Sequence, residues 1–408
     1  MKTLIVILPF YKIYRYLIVA ASICSCLFLT LLITGCQQGE RKTTDSGQDS
    51  RSNLILLPPP TPLAMLEKNT LASACLAWYD SVLGNGVFNG GMLVAKGGNI
   101  VFERYKGYEP FDKKDIVNAN TSFHIASVSK TFTAMAVLTL KEEGKLQLND
   151  LFSKYFPAFD FPGVTIQTLL NHRSGIPNYQ YFMEKLNWPD TLMMRNQDVL
   201  DYLILHKTSI EDIGIADRHF SYSNTNYVLL ALLIEKITGT SYPSYLQETF
   251  FGPLQMQHSF VYTRADSARA SLNYDWRGVT IKNNYMDEVY GDKNIYSTPR
   301  DLLIWHRALS SNLLFTEATL QEAYAPYSNE KPGVKNYGLG WRMNSYPNGK
   351  KVIFHNGWWH GNNASFIRLQ DEDATIIVLG NRFTYKVYKA YQLVNSFGDY
   401  FTVSEDVE

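Results

Sequence analysis

Eight consecutive apolar residues, Tyr227 to Ile234, stand inside a segment that runs from Asn226 to Thr238 and stops at Gly239. A helix that is apolar nearly all round is buried on every side, and glycine is the natural stop. Around it, from about Thr121 to Thr249, the pattern is helical. Ser127 to Glu143 carries Phe132, Met135, Ala136 and Leu140 on one face and ends at Gly144, a C-terminal cap. Strand patterns lie on both sides of this block. Before it, a helix over Met65 to Leu83 leads to two apolar runs, Gly91–Lys96 and Ile100–Arg104. Gly97-Gly98-Asn99 between them is a hairpin signal. After it come short β-rich runs at Lys351–His355, Ser365–Leu369 and Thr375–Leu379, separated by Gly357–Asn363 and Asp371–Asp373. An amphipathic helix over Tyr385–Phe397 closes the chain. No internal repeat is present.

The chain has 408 residues, 46% hydrophobic and 19% charged, an ordinary globular balance that suggests two packing units at roughly 150 residues each. The formal net charge is zero, and basic pairs such as Lys113-Lys114 and Lys350-Lys351 are isolated. No nucleic-acid partner is therefore expected.

The N-terminus reads as an address. Lys2, Lys12 and Arg15 precede an apolar stretch from Tyr16 to Thr34, which ends in Leu-Ile-Thr-Gly-Cys at Cys36. Small residues before a cysteine resemble the lipobox of bacterial lipoproteins. On that reading residues 1–35 are a signal peptide, Cys36 is lipidated, and 36–64 is a polar tether too poor in apolar surface to fold. The alternative is an uncleaved membrane helix, because the run is nearly long enough to span a bilayer of ~30 Å. Both place the bulk of the protein outside the cytoplasm. Cys24 and Cys26 fall in the apolar run, so a cleaved chain keeps only Cys36 and Cys75 and has no disulfide framework. Cys75, at helical spacing with Leu71, Trp78 and Val82, reads as a buried hydrophobe.

Absent motifs narrow the chemistry. There is no G-x-S-x-G elbow, no H-E-x-x-H, no metal-ligand spacing among the eight histidines, and no G-x-G-x-x-G after a strand. Neither a metal nor a cofactor is implied. What stands out is Ser127-Val128-Ser129-Lys130 at the head of a helix. Positions i and i+3 share a face, so the lysine amine can reach the serine hydroxyl. The helix N-terminus adds N–H donors that favour a developing oxyanion. Ser328 to Lys331 repeats the spacing, but in a loop closed by Pro332, and is set aside. The first copy has partners in order: Tyr222-Ser223-Asn224 before the buried helix, then His355-Asn356-Gly357 at the end of a β-run.

With these motifs the chain resembles the serine β-lactamase and penicillin-binding-protein superfamily, in its class C-like branch with DD-peptidases and esterases. His355-x-Gly357 stands where better-known members carry Lys-Thr-Gly. Flanking segments agree: Phe123–Ala126, Leu169–Pro177, Gly252–Met256 and Tyr337–Trp341. The resemblance implies an α+β fold: a five-stranded antiparallel sheet flanked by helices, with an all-helical subdomain inserted at about 116–275. The whole domain would span 65–402, with a tail at 403–408. It also implies a monomeric serine hydrolase acting through an acyl-enzyme on a small-molecule or peptide amide or ester, with D-amino-acid peptides of the cell wall or small esters as the candidate substrates. Ser127 would be the nucleophile and Lys130 or Tyr222 the base. Asn224, His355, Gly357 and Trp358 would bind substrate, with the Ser127 and Trp358 amides as oxyanion hole. An envelope module that is acylated without turnover, or a true β-lactamase, are the competing readings. Bland roles compete as well: Tyr222 and Trp358 in packing, Asn224 as a helix N-cap, His355 as a strand-end histidine, and His172 bracing a turn. An ordinary histidine pKa near 6.5 would leave His355 mostly uncharged at neutral pH and titrating just below it.

Overall fold

The computed structural model describes residues 54–110 and 114–401. The leader, Cys36 and the 403–408 tail lie outside the described residues. Helix α1 (Met65–Tyr79), continued by a π-turn at Asp80–Gly84, precedes strands β1 (Gly90–Lys96) and β2 (Asn99–Lys106). The helical block opens with β3 (Phe123–His124) and a 3-10 turn at Ala126–Val128. It continues through α2 (Ser129–Glu142), α3 (Ile166–Leu170), α4 (Tyr179–Lys185), α5 (Asn196–Leu205), α6 (Asn224–Thr238) and α7 (Tyr242–Leu246). Short strands β4 (Phe260–Val261), β5 (Asn273–Tyr274), β6 (Thr280–Ile281) and β7 (Ile295–Ser297) follow, then α8 (Pro299–Ser310) and α9 (Glu317–Ala323). Strands β8 (Lys335–Tyr337), β9 (Arg342–Ser345), β10 (Lys351–Trp359), β11 (Asn362–Leu369) and β12 (Ala374–Gly380) complete the main sheet. A 3-10 segment, Tyr385–Ser396, closes the chain.

The main sheet is antiparallel, in the order β2-β1-β12-β11-β10-β9-β8. It therefore has seven strands rather than the expected five. The extra pair, β8 and β9, comes from Lys335–Ser345, too short and mixed in polarity to read as strand. Both faces are buried. Met92, Val94, Ile376 and Val378 pack under α1 and the closing 3-10 segment, while Leu93, Ala95, Ile377 and Leu379 pack toward the helical block. Strict alternation between two cores is why these strands look continuously apolar. The hairpin forms at Gly97 and Gly98, with φ of +54° and +75°, values that favour glycine.

Two further expectations change. Helices α2 to α7 lie within 116–275, but that stretch is not all-helical: β3 and β4 pair with β7 in a small second sheet. Gly357–Asn363, read as a connection, is mostly strand, and His355 sits mid-strand in β10. Gly357 marks a close approach rather than a turn. A Cβ placed there would lie 2.3 Å from the Ile125 carbonyl oxygen and 3.1 Å from the Ser127 amide nitrogen.

Candidate active site

The segment that delivers Ser127 is held in an unusual backbone state. Ala126 has φ +48°, in the left-handed region, and its N–H donates to His124 Nδ1 at 3.0 Å. His124 Nε2 meets Asn294 Oδ1 at 3.0 Å, and burial pulls the imidazole down to about 4, so it is neutral at neutral pH and fixed in the acceptor role. The 3-10 turn then passes into α2, placing Lys130 one turn beyond Ser127.

Lys130 is fully buried, and its Nζ has three oxygen neighbours: Ser127 Oγ at 3.0 Å, Asn224 Oδ1 at 2.8 Å and the Asp292 carbonyl at 2.8 Å. An ammonium satisfies all three with its three protons. A neutral amine satisfies Asn224 and Asp292 with two protons and turns its lone pair to the Ser127 hydroxyl. The same geometry therefore serves both ends of a proton transfer. Asn224 begins α6 and is oriented a second time by donating to Gln180 Oε1 at 2.9 Å.

Tyr222 joins this group through its ring. Lys130 Nζ lies 5.1 Å from the ring centroid, and the Arg342 guanidinium lies at the same 5.1 Å. The His172 ring lies 4.3 Å away. His172 braces a turn as expected, with φ +59° and its Nδ1 accepting the Ser223 N–H at 3.2 Å. Burial first, then Lys130, His355 and Arg342, push its pKa well below the usual histidine value.

His355 faces the same group of rings from β10. It is fully buried, 3.2 Å from the Tyr337 hydroxyl through Nε2 and 2.7 Å from the Asn356 carbonyl through Nδ1. Burial, with Arg342 and Lys130 adding to it, depresses its pKa well below 6.5. His355 is thus a neutral imidazole at neutral pH. Gly357 brings β10 against the Ser127 amide, as its missing Cβ shows. Trp358, next along, is 60% exposed and anchors its indole N–H on the His360 carbonyl at 3.0 Å. β9 ends opposite Phe354, so among the described residues His355–Trp359 pair with β11 alone. An open strand edge therefore runs past Ser127.

Residues 80–395 match the beta-lactamase family. The chain belongs to that family of serine hydrolases. It is 32% identical to penicillin-binding protein 4* of Bacillus subtilis over 72% of this chain and 68% of that one. It is 29% identical to protein flp of Staphylococcus aureus over 75% of this chain and 62% of the relative, so that match leaves more than a third of flp uncovered. A penicillin-binding protein of Bacillus halodurans shares the fold with a TM-score of 0.68 at 24% identity, over 79% of this chain and 98% of that one. A D-amino acid amidase of Ochrobactrum anthropi shares it at 0.67 and 21% identity, over 80% and 97%.

The structure brings Ser127, Lys130, Tyr222, Asn224, His355 and Gly357 together where β10 passes the Ser127 segment. The second Ser-x-x-Lys does not join them. Ser328 lies in a loop and its hydroxyl is buried without a partner among the described residues. Three contributors escaped the sequence reading. Gln180 orients Asn224 from a different helix. Asp292 supplies a main-chain carbonyl, which carries no side-chain signature. Its carboxylate sits in a buried pair with Lys293 at 3.7 Å, and Lys293 donates to the Tyr179 hydroxyl at 2.7 Å. Burial draws the Lys293 ammonium below the usual lysine range, against the opposing pull of Asp292 and Asp287. Arg342 is the third. It follows Tyr337–Trp341, a segment singled out in the sequence, and its position beside that segment was the available clue.

Proposed function

We propose that this protein hydrolyses an amide or ester through an acyl-enzyme on Ser127, with a carboxylate-bearing peptide rich in D-amino acids as its preferred substrate class. The observation that carries the reading is the placement of Lys130 Nζ, buried and 3.0 Å from Ser127 Oγ. In the first step the Ser127 hydroxyl proton passes to the Lys130–Tyr222 pair as Oγ bonds to the substrate carbonyl carbon. The carbon–leaving-group bond then breaks and the proton is returned to the leaving group. Water attacks the ester by the same route in reverse roles, releasing the acid and restoring Ser127. The amides of Ser127 and Trp358 would hold the oxyanion, and Asn224 the substrate amide.

The open edge of His355–Trp359 suits an extended peptide, which would add to it as a strand. His355, neutral and buried, supplies no cation for a carboxylate. Arg342 does, having only ring contacts among the described residues. The names of two similar proteins, a penicillin-binding protein and a D-amino acid amidase, point the same way. An envelope location with a lipid at Cys36 accords with such a substrate and remains part of this proposal.

The test is a substrate panel of a chromogenic cephalosporin, nitrophenyl esters and D-alanyl-D-alanine peptides, run with wild type and Ser127→Ala. Turnover of at least one class that Ser127→Ala abolishes supports the proposal. Acylation without product release would make the protein a sensor module, and turnover by Ser127→Ala would remove Ser127 from the chemistry.

A further inference from the structure

Asp287 touches neither Ser127 nor Lys130, yet hydrogen bonds lead from it to both segments that flank the nucleophile. It is buried on the connection between β6 and β7. Its carboxylate accepts the Trp359 indole N–H at 2.6 Å, and His360 Nε2 lies 3.0 and 3.1 Å from its two oxygens. Both neighbours of that nitrogen are carboxylate oxygens, so Nε2 carries the proton and donates. The Asn284 N–H donates to the same carboxylate. Burial pushes the carboxyl up, but these donors outweigh it and hold the group below the usual carboxylate range. It is therefore an anion at neutral pH, and its hydrogen bonds are charge-assisted. His360 in turn accepts the Trp358 indole N–H on its carbonyl. One carboxylate thus holds the end of β10 and the turn into β11.

The main chain of the same residue leads the other way. The Asp287 carbonyl accepts from Asn294 Nδ2 at 2.6 Å. Asn294 Oδ1 accepts from His124 Nε2, and His124 Nδ1 accepts the N–H of Ala126, the strained residue just before Ser127. Lys293 adds a third contact, with Nζ 4.8 Å from the centroid of the Trp359 ring. The stretch that supplies the Asp292 carbonyl to Lys130 therefore meets the same indole.

Closing its own loop would need only the Asn284 N–H. A buried carboxylate that also gathers Trp359 and His360, and whose carbonyl starts a chain to Ala126, fixes one segment against the other. We propose that Asp287 is a positioning residue for acyl transfer: it sets the spacing between the Ser127 and Trp358 amides, and so the fit of the oxyanion hole. The use of those amides rests on the hydrolase reading; the tie between the two segments does not. Oxyanion donors act only when they are aimed in advance at the place the charge will occupy. Asp287 touches no reacting atom, so its loss acts on the transition state through the two amides and leaves substrate binding nearly as it was.

The experiment compares full-length wild type, Asp287→Ala and Trp359→Phe. Hydrogen exchange is read on peptides covering 124–128 and 356–361. In parallel, kcat and KM are measured on a nitrophenyl ester and on the thionoester in which sulfur replaces the carbonyl oxygen. A hole spaced for oxygen discriminates against the larger, weakly accepting sulfur. Asp287→Ala should speed exchange in both segments and leave β1 unchanged. It should lower kcat on the ester by about a hundred-fold with KM nearly unchanged. The preference for ester over thionoester should shrink by at least about ten-fold. Trp359→Phe removes one donor and keeps the ring. It should loosen 356–361 alone, lower kcat by about ten-fold and shrink the ester preference in the same direction. It carries the test if Asp287→Ala does not fold. Faster exchange in only one segment of Asp287→Ala, or a rate loss in either variant with the ester preference unchanged, would make Asp287 merely structural and overturn the proposal. Exchange and kcat that both stay at the wild-type level would overturn it as well. A wild type that turns over neither ester counts against the hydrolase reading, and joint exchange in the two segments then decides the tie by itself.

Discussion

The Arg342 guanidinium and the Tyr222 ring lie 5.1 Å apart, on the side of the site that β10 leaves open. On the hydrolase reading proposed above, this guanidinium would meet a substrate carboxylate. Arg342→Ala should lower kcat/KM for a carboxylate-bearing substrate by about ten- to a hundred-fold, the worth of a hydrogen bond to a charged group. A neutral nitrophenyl ester should change little, and Arg342→Lys should recover part of the loss. Equal losses on both substrates would assign Arg342 to packing around Tyr222.

His355→Lys tests the neighbouring position. From sequence alone, a lysine there would be expected to improve acylation by carboxylate-bearing β-lactams. The structure predicts the opposite, because position 355 is fully buried with Arg342 and Lys130 already nearby. An added ammonium would be an unpaired buried charge, costing about 3 kcal/mol or more. A thermal melt should show a clearly lowered Tm and no gain toward penicillin. An unchanged Tm with faster acylation would mean that the strand presents residue 355 to the substrate.

Histidine burial sets the pH dependence of stability. His124 and His306 are pulled down to about 4, and His172 and His355 are pushed well below 6.5, with burial the first cause in each. From about pH 8 upward all four are neutral in both folded and unfolded chains and add no slope; the unfolded chain begins to take up protons as the pH approaches 6.5. As pH falls below 6.5 the unfolded chain takes up protons that the folded chain refuses, and stability falls, by at most about 1.4 kcal/mol per histidine per pH unit. Unfolding at pH 5.5 should consume several protons, measurable by calorimetry in buffers of different ionisation enthalpy. The ratio of rates on carboxylate and neutral substrates should show no titration near the ordinary histidine value of about 6.5, because burial holds His355 well below it. Titration of that ratio near 6.5 would contradict the burial.

Gly357→Ala would put a methyl group 2.3 Å from the Ile125 carbonyl oxygen and 3.0 Å from the Ala126 Cβ. Since backbone cannot yield cheaply at that contact, β10 must move away from Ser127. A displacement of about 1 Å at a reacting centre costs on the order of a hundred-fold in rate. Acylation should fall by that factor, measured against a melt that reports the accompanying loss of stability. A variant acylated at the normal rate would show that the contact between β10 and the Ser127 segment is not needed.

The elements legible in the sequence were those with one strong period or one strong stop. The buried helix ends at Gly239 with φ +69°, and the hairpin turns on Gly97-Gly98. Ser127, Lys130 and Asn224 came together because they sit at or just before the heads of α2 and α6, two helices whose positions are set by packing. What could not be read follows from long-range geometry. β8 and β9 are strands because β10 offers them an edge, not because Lys335–Ser345 alternates. Gly357 signals a turn in isolation and a close approach only once Ile125 is known to face it. Asp292 acts through a carbonyl, and any residue has one. His355 could be matched to a motif, but its burial, which decides its charge, depends on Tyr337, Arg342 and Lys130 arriving from three other segments.

The most direct measurement of the central claim is the location and rate of covalent labelling by a serine-reactive fluorophosphonate, read by peptide mass spectrometry on the intact fold. The structure predicts one modified peptide, carrying the adduct on Ser127. Its formation should slow by at least about a hundred-fold in Lys130→Ala, because the buried amine is the group within 3.0 Å of the hydroxyl. An adduct on Ser328 or another serine, or labelling of Ser127 at an undiminished rate without Lys130, would contradict it.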